Sequence, residues 1–140
     1  MQENIQFNQY VSDLYQKFTS HDAQHTDRLK RYRNIETESA ELLSMLVKTQ
    51  QTKQLLEIGT STGYSTLWLA KALSQTQGQM TTLEIDTERS EQAKHHAQNL
   101  GLDHLIHFQV FDFILLDAER DAYLEYWNYL PQILNQKKVF

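Results

Sequence analysis

One segment constrains the fold of this chain more than any other, the sequence LLEIGTSTGYS at residues 55–65. Its first four residues form a short apolar run that carries one acid, Glu57, and they predict a buried strand. Gly59 and Gly63 enclose polar turn residues, and the apolar stretch Ser65–Leu73 predicts a helix. A strand that leads through a glycine turn into a helix is typical of α/β proteins, which bind ligands at the carboxyl ends of their strands.

Strands and helices continue to alternate after this segment. The predicted elements are a strand at Met80–Ile85, a helix after Asp86 or Thr87 with core positions Ala93, Ala97 and Leu100, strands at Leu105–Val110 and Phe113–Leu116, and a helix at about Glu119–Leu134. Gly101 lies just beyond the first of these helices, where a left-handed residue commonly ends a helix. Such alternation predicts a doubly wound, mainly parallel α/β sheet.

The first third of the chain is predicted to add N-terminal helices to this sheet. Helical spacing of apolar residues predicts helices at Ile5–Phe18 and Ala23–Arg33, and a third helix after the loop Asn34–Glu38. The buried stripe predicted for the third helix comprises Leu42, Leu43, Met45, Leu46 and Val47. We therefore expect one domain over residues 1–140, with N-terminal helices at 1–50 and a ligand-binding α/β core at 51–140.

One junction does not fit a continuous α/β core. The predicted strands that end at Val110 and begin at Phe113 follow each other with no turn between them. Parallel neighbours need a connection of at least about ten residues. Glycine and proline, which loops normally carry, number only 4 and 1. We predict that about 12–20 residues are absent between Val110 and Phe111, and that the last strands of the fold lie beyond Phe140.

Composition narrows the expected partners and location. The net charge is −5, so the chain lacks the basic surface that nucleic-acid binding requires. It contains no cysteine, which excludes disulfides and thiolate metal sites and fits a reducing cytoplasm. The first ten residues lack the pattern of a signal peptide, and no apolar run approaches membrane-spanning length. We expect a cytoplasmic protein with neither a nucleic-acid nor a membrane partner.

Two acids follow the same pattern at successive strand ends. Glu57 precedes Gly59, and Glu84 lies in TLEID, near the end of the second predicted strand. An acid at this second position suits hydrogen bonds to ribose hydroxyls. The glycines are spaced G-x-x-x-G, whereas a dinucleotide site more often reads G-x-G-x-x-G. Glu57 suits a cationic amine and would repel a pyrophosphate. S-adenosylmethionine carries both an amine and a ribose, and it fits this pair.

Four motifs in this order resemble one family. They are Arg33-Asn34-Ile35, LLEIGTSTGYS, TLEID and LLDAERDAY, and together they are similar to the catechol and caffeoyl-CoA type of O-methyltransferase and its small bacterial relatives. The similarity covers roughly residues 31–134. It implies a Rossmann-like fold, S-adenosylmethionine as cofactor, a small catechol-like or phenolic acceptor, and a homodimer.

The resemblance also implies roles for individual residues. Glu57 would bind the methionine amine and Glu84 the ribose of the cofactor. The other residues implied to contact the cofactor or to pack beside it are Ile35, Gly59, Ser61, Gly63, Ser65 and Ile85. Asp117 would be a catalytic residue and a ligand of a divalent metal such as magnesium.

Arg120 is the main departure from the family. It stands where these enzymes have a catalytic lysine, and a guanidinium effectively never deprotonates in proteins. Arg120 is therefore predicted to orient or stabilise the acceptor instead of taking its proton. Two alternatives remain open. One is a nicotinamide-dependent oxidoreductase on a related fold, which the glycine spacing disfavours, and the other is a non-catalytic binding module, which Arg120 favours.

Overall fold

The computed structural model describes residues 2–27 and 30–110, and for Gln2 and Glu3 it describes the backbone alone. The main elements in chain order are α1 (Gln2–Ala23), α2 (Thr37–Thr49), β1 (Gln54–Ile58), α3 (Tyr64–Thr76), β2 (Gln79–Glu84), α4 (Thr87–Asn99) and β3 (Ile106–Val110). A short 3-10 helix, Asp103–Leu105, leads into β3. The predicted alternation of strands and helices from residue 54 to residue 110 is confirmed.

The three strands form one parallel sheet in the order β1-β2-β3. Glu57 of β1 pairs in register with Thr82 of β2, and Glu84 at the end of β2 pairs with Val110 of β3. The helices α3 and α4 make the crossovers that parallel strands require. The register therefore brings the carboxyl ends of β1 and β2, with their two acids, to one edge of the sheet.

Local sequence signals explain where α4 begins and ends. Asp86 caps its first turn, since the side chain accepts a hydrogen bond from the Arg89 amide, and such a cap contributes about 1 kcal/mol. Gly101 has a φ of 65° just beyond the helix, a left-handed conformation that glycine adopts without steric cost. Ala93 and Ala97 are buried as predicted, and Leu100 is partly buried.

The first predicted helix is confirmed and is longer than expected, but the second is wrong. The described residues between Ala23 and Arg33 form turns and bends, with residue 30 in 3-10 conformation, instead of an α-helix. The reason is Asp22, whose carboxylate accepts hydrogen bonds from the amides of Tyr32 and Arg33. A side chain that binds the backbone competes with helix formation, so the chain folds back onto the end of α1.

The buried stripe predicted for α2 is wrong in part. Leu42 and Met45 are 56% and 59% exposed, and Leu46 is 41% exposed. The buried positions are Ala40, Ser44 and Val47, which repeat at helical spacing. Small residues at Ala40 and Ser44 let α2 pack closely, and Leu42 and Met45 then face away from the core, whereas Leu43 packs against it.

The core lies between α1, α3 and the sheet. Its buried side chains include Phe7, Val11, Leu14 and Phe18 of α1, Leu67 and Leu73 of α3, and Met80 of β2. The ring of Phe7 meets Trp68 of α3 edge to face, with centroids 5.2 Å apart. None of the helices among the described residues is long and apolar enough to cross a bilayer. The predicted strand Phe113–Leu116, the helix after it and Phe111 at the predicted junction lie outside the described residues.

Candidate cofactor site

The turn after β1 lies against the end of β2. The amides of Gly59 and Thr60 both donate to the carbonyl of Leu83, at 2.8 and 3.2 Å. The Gly63 amide donates to the Thr60 carbonyl at 2.9 Å and closes the turn before α3. Because these contacts are made by the backbone, they hold residues 59–63 beside Glu84.

The two glycines of this turn have different surroundings. Both have a left-handed φ, 94° at Gly59 and 90° at Gly63. A Cβ at Gly59 would meet no atom within 4 Å, whereas a Cβ at Gly63 would lie 2.7 Å from the Cβ of Ala93 in α4. Gly59 thus leaves the backbone open to a ligand, and Gly63 allows the turn to pack against α4.

Glu57 is held by three hydroxyl groups. Its Oε1 accepts a hydrogen bond from Ser65, and its Oε2 accepts from Thr66 and from Thr82, all at 2.6 Å. Burial raises the pKa of Glu57, the three hydroxyls oppose this, and the nearby Glu84 carboxylate raises it further, so the net shift is upward. A cation close to Glu57 would therefore stabilise its ionised form.

Glu84 is held by three backbone amides. Its Oε2 accepts from Ser61 at 2.6 Å, and its Oε1 accepts from Ile85 at 2.9 Å and from Asp86 at 3.0 Å. The residue is only 8% exposed. A carboxylate can accept about four hydrogen bonds, so Glu84 has one position left for a ligand hydroxyl. A second position becomes free if a ligand hydroxyl replaces the Ser61 amide as the donor. Ile85, beside it, is 62% exposed and can cover a planar ring.

A cavity of about 290 Å³ lies at the end of β1. Four residues of the predicted site, Ile35, Glu57, Gly59 and Ser65, line it. The rest of its lining is apolar and comes mainly from α2 and β1, including Leu43, Leu46 and Leu55. The cavity runs along β1, the edge strand of the described sheet, and places Glu57 and Gly59 beside an apolar wall.

Ser61 connects the turn to the segment before α2. Its amide binds Glu84, and its hydroxyl donates to the carbonyl of Tyr32 at 3.0 Å. The structure therefore brings the eight predicted cofactor residues together around the ends of β1 and β2, with Gly63 in a packing position. Asp117 and Arg120 lie outside the described residues.

Four residues that shape this site are not predicted from the sequence, namely Asp22, Tyr32, Thr66 and Thr82. Thr82 had a signal, because it is the register partner of Glu57 and so follows from aligning the two strands. Asp22 and Tyr32 had none, since they meet through a turn that no local pattern predicts.

Comparison with known proteins agrees with this geometry. The sequence profile of the O-methyltransferase family matches residues 6–110. This chain belongs to the O-methyltransferase family. Its fold is accordingly the Rossmann-like α/β fold expected from the sequence. Membership also removes the support for a nicotinamide-dependent oxidoreductase.

Individual relatives are of the same kind. A catechol O-methyltransferase of Niastella koreensis is 28% identical in an alignment 113 positions long, which covers 69% of this chain and 51% of the relative. A caffeoyl-CoA O-methyltransferase of Petunia hybrida is 35% identical in an alignment 128 positions long, which covers 76% of this chain and 51% of the relative. The chain spans about half the length of the curated relatives it matches.

Solved structures show the same fold with related ligands. An O-methyltransferase of Streptomyces achromogenes was solved in complex with S-adenosylmethionine. It is 27% identical to this chain and has a TM-score of 0.57, over 75% of this chain and 53% of that protein's chain. An O-methyltransferase of Bacillus cereus, solved with S-adenosylhomocysteine, has a TM-score of 0.62 over 93% of this chain and 62% of that protein's chain. At 23% identity, the second structure supports the fold alone.

Proposed function

We propose that this protein is an S-adenosylmethionine-dependent methyltransferase that methylates a hydroxyl group of a small catechol-like or phenolic acceptor. The observation that carries the proposal is the pair of acids, Glu57 and Glu84, on either side of the open glycine Gly59 at the ends of neighbouring strands. Membership of the O-methyltransferase family supports the reaction, and the catechol and caffeoyl-CoA relatives support the acceptor class.

Five residues of the site have direct roles in this proposal. Glu84 accepts hydrogen bonds from the ribose hydroxyls, and the exposed side chain of Ile85 lies beside the adenine. Glu57 faces the methionine amine, whose positive charge offsets the cost of a partly buried carboxylate. Gly59 lets the backbone approach the cofactor, while Ile35 forms part of the apolar wall along it.

The main contribution of the protein to the reaction is to position the cofactor and the acceptor relative to each other. When bound, S-adenosylmethionine would supply an electrophilic methyl group to the ionised oxygen of the acceptor, whose proton passes to solvent. The carbon–oxygen bond would form as the carbon–sulfur bond breaks, with S-adenosylhomocysteine as the leaving group. The turn at residues 59–63 and the two acids would hold the cofactor, so that the acceptor oxygen can be aligned with the methyl group. Such alignment is worth up to about 7–11 kcal/mol in well-oriented reactions.

Two proposed roles rest on the family resemblance alone. Asp117 is proposed as a ligand of a divalent metal, but residues 2–27 and 30–110 contain no group of three or more histidines or carboxylates that could hold one. Any such site needs Asp117 and ligands from outside this part of the chain, and we derive no step through a metal. Arg120 is proposed to pair with the acceptor or to stabilise its phenolate, because it cannot act as a base.

The arrangement of the whole protein is also a proposal. A single domain with its ligand-binding core from residue 51 and a gap between Val110 and Phe111 is supported by the family profile, which matches up to residue 110. The intact mass of the natural protein tests the gap. A homodimer is proposed from the family resemblance, and a cytoplasmic location without nucleic-acid or membrane partners from composition.

The decisive experiment is methyl transfer by the full-length protein. S-adenosylhomocysteine is measured after incubation with S-adenosylmethionine and catechol, a simple phenol or caffeoyl-CoA, with and without a chelator. We expect formation of S-adenosylhomocysteine that depends on the acceptor, and an effect of the chelator if the metal proposal holds. Binding of S-adenosylmethionine without turnover of any acceptor would favour the binding module, and absence of binding would contradict the proposal.

A further inference from the structure

The carboxylate of Asp22 holds the segment that leads into the cofactor site. Its Oδ1 accepts a hydrogen bond from the Tyr32 amide at 2.8 Å, and its Oδ2 accepts from the Arg33 amide at 2.9 Å. The side chain is 23% exposed and faces the backbone of residues 32 and 33. Burial raises the pKa of Asp22, but the two amides and His21 lower it more, so the carboxylate stays ionised and accepts strongly.

Aromatic and cationic groups fix the same segment from the sides. The ring of His21 stacks on Tyr32 with centroids 4.0 Å apart, and the guanidinium of Arg89 from α4 lies 5.6 Å from the centre of the Tyr32 ring. The Nε of Arg31 donates to the carbonyl of His25 at 2.6 Å. The end of α1 and the start of α4 thus enclose Tyr32.

Tyr32 in turn contacts the cofactor turn. Its carbonyl accepts a hydrogen bond from the Ser61 hydroxyl, and the Ser61 amide binds Glu84. Both Arg33 and Ser61 have a left-handed φ, 53° and 48°, although neither is a glycine. Residues other than glycine keep such conformations only where their surroundings hold them. Asp22 accepts one hydrogen bond from the amide of the first of these residues, Arg33, and one from the amide of Tyr32 before it.

We infer that Asp22 is a positioning residue for the cofactor: through Tyr32 and Ser61 it sets the turn at residues 59–63 and the acceptor geometry of Glu84. The inference rests on the proposed function for the identity of the ligand, but the link from Asp22 to the turn stands on the contacts alone. Asp22 itself lies behind the segment and acts through the residues that it holds.

The test combines amide hydrogen exchange with calorimetric titration of S-adenosylmethionine, using the full-length protein and the single variants Asp22→Ala, Asp22→Asn, Asp13→Ala and Ser61→Ala. In Asp22→Ala we expect faster exchange at residues 59–63 without ligand, a Kd raised about 3- to 10-fold, and a kcat at saturating cofactor within about twofold of the parent. Asp22→Asn keeps one acceptor oxygen, so its exchange rate and Kd should lie between those of the parent and those of Asp22→Ala. The matched control is Asp13→Ala, since Asp13 lies on the same helix and contacts the exposed Gln9.

A double variant separates positioning from general damage. If Asp22 acts through Ser61, Asp22→Ala combined with Ser61→Ala raises Kd by less than the product of the single effects. Multiplicative effects, or an unchanged exchange rate and Kd in Asp22→Ala, would overturn the inference. If Asp22→Ala does not fold, the same criteria apply to Asp22→Asn. Failure of the parent protein to bind S-adenosylmethionine would refute the proposed function, while hydrogen exchange would still decide the link.

Discussion

Replacement of Gly63 by alanine tests how the cofactor turn packs against α4. The new Cβ would lie 2.7 Å from the Cβ of Ala93 and 3.0 Å from its Cα, closer than carbon atoms normally approach. The φ of 90° adds a conformational cost of about 1–2 kcal/mol for any residue with a side chain. Overpacking of a buried contact costs about 1–3 kcal/mol more. We expect Gly63→Ala to lower the free energy of unfolding by about 2–5 kcal/mol.

Gly101 provides a matched control for the conformational part of this cost. Its φ is also left-handed, at 65°, and a Cβ there would meet no atom within 4 Å. Gly101→Ala should therefore cost about 1–2 kcal/mol. Urea denaturation of both variants, followed by circular dichroism, gives the two free energies of unfolding. Their difference of about 1–3 kcal/mol is the steric contribution at Gly63.

A second-site change tests whether Ala93 is the cause. Ala93→Gly removes the closest atom, so adding it to Gly63→Ala should cost less than the two separate losses predict. Gly59→Ala, with open space around its Cβ, should resemble Gly101→Ala in stability and weaken cofactor binding instead. The reasoning would be refuted if Gly63→Ala were no more destabilising than Gly101→Ala.

Two further predictions concern pH. Burial, Lys17 and His95 lower the pKa of His96 to about 4 from 6.5, so stability is lost as the pH falls from 6.5 towards about 4, because the unfolded chain binds the proton first. After allowance for solvent at this half-buried ring, His96→Gln should remove about 1 kcal/mol of that loss in urea titrations; unchanged pH dependence would contradict this. Glu57 gives a pH dependence of stability of the opposite sign. Because its pKa is raised in the folded protein, stability falls as the pH rises above 4.5. Glu57→Gln should abolish that fall, and an identical pH profile in the variant would contradict the assignment of a raised pKa.

The part of the fold that follows from sequence is the part dictated by local chemistry. β1 was predicted within one residue, since an apolar run that ends in a glycine turn permits few other structures. The end of α4 at Gly101 follows for the same reason. The orientation of α2 does not follow, because Leu42 and Met45 are apolar yet exposed. α2 instead buries its small residues Ala40 and Ser44. Which face of α2 is buried depends on the helix packed against it, and the local sequence does not specify that partner.

The site follows from sequence in its acids and glycines but not in the contacts that hold them. Glu57 and Glu84 were predicted at neighbouring strand ends, and the register confirms this placement. Their partners, such as Thr66 and Ser61, depend on how the turn folds back over the strands. Asp22 meets Tyr32 ten residues later through a turn without glycine or proline, so its role is visible only in three dimensions.

The most direct test of the central claim is a calorimetric titration of S-adenosylmethionine into the full-length protein and into Glu84→Gln. Glutamine keeps the shape of Glu84 but loses the charge that strengthens hydrogen bonds from ribose hydroxyls. The account predicts stoichiometric binding by the parent protein, no comparable binding of NADH, and a loss of about 1–3 kcal/mol of binding free energy in the variant. Equal affinity of the two proteins for S-adenosylmethionine, or no binding by the parent, would contradict the claim that Glu84 at the end of β2 holds the cofactor.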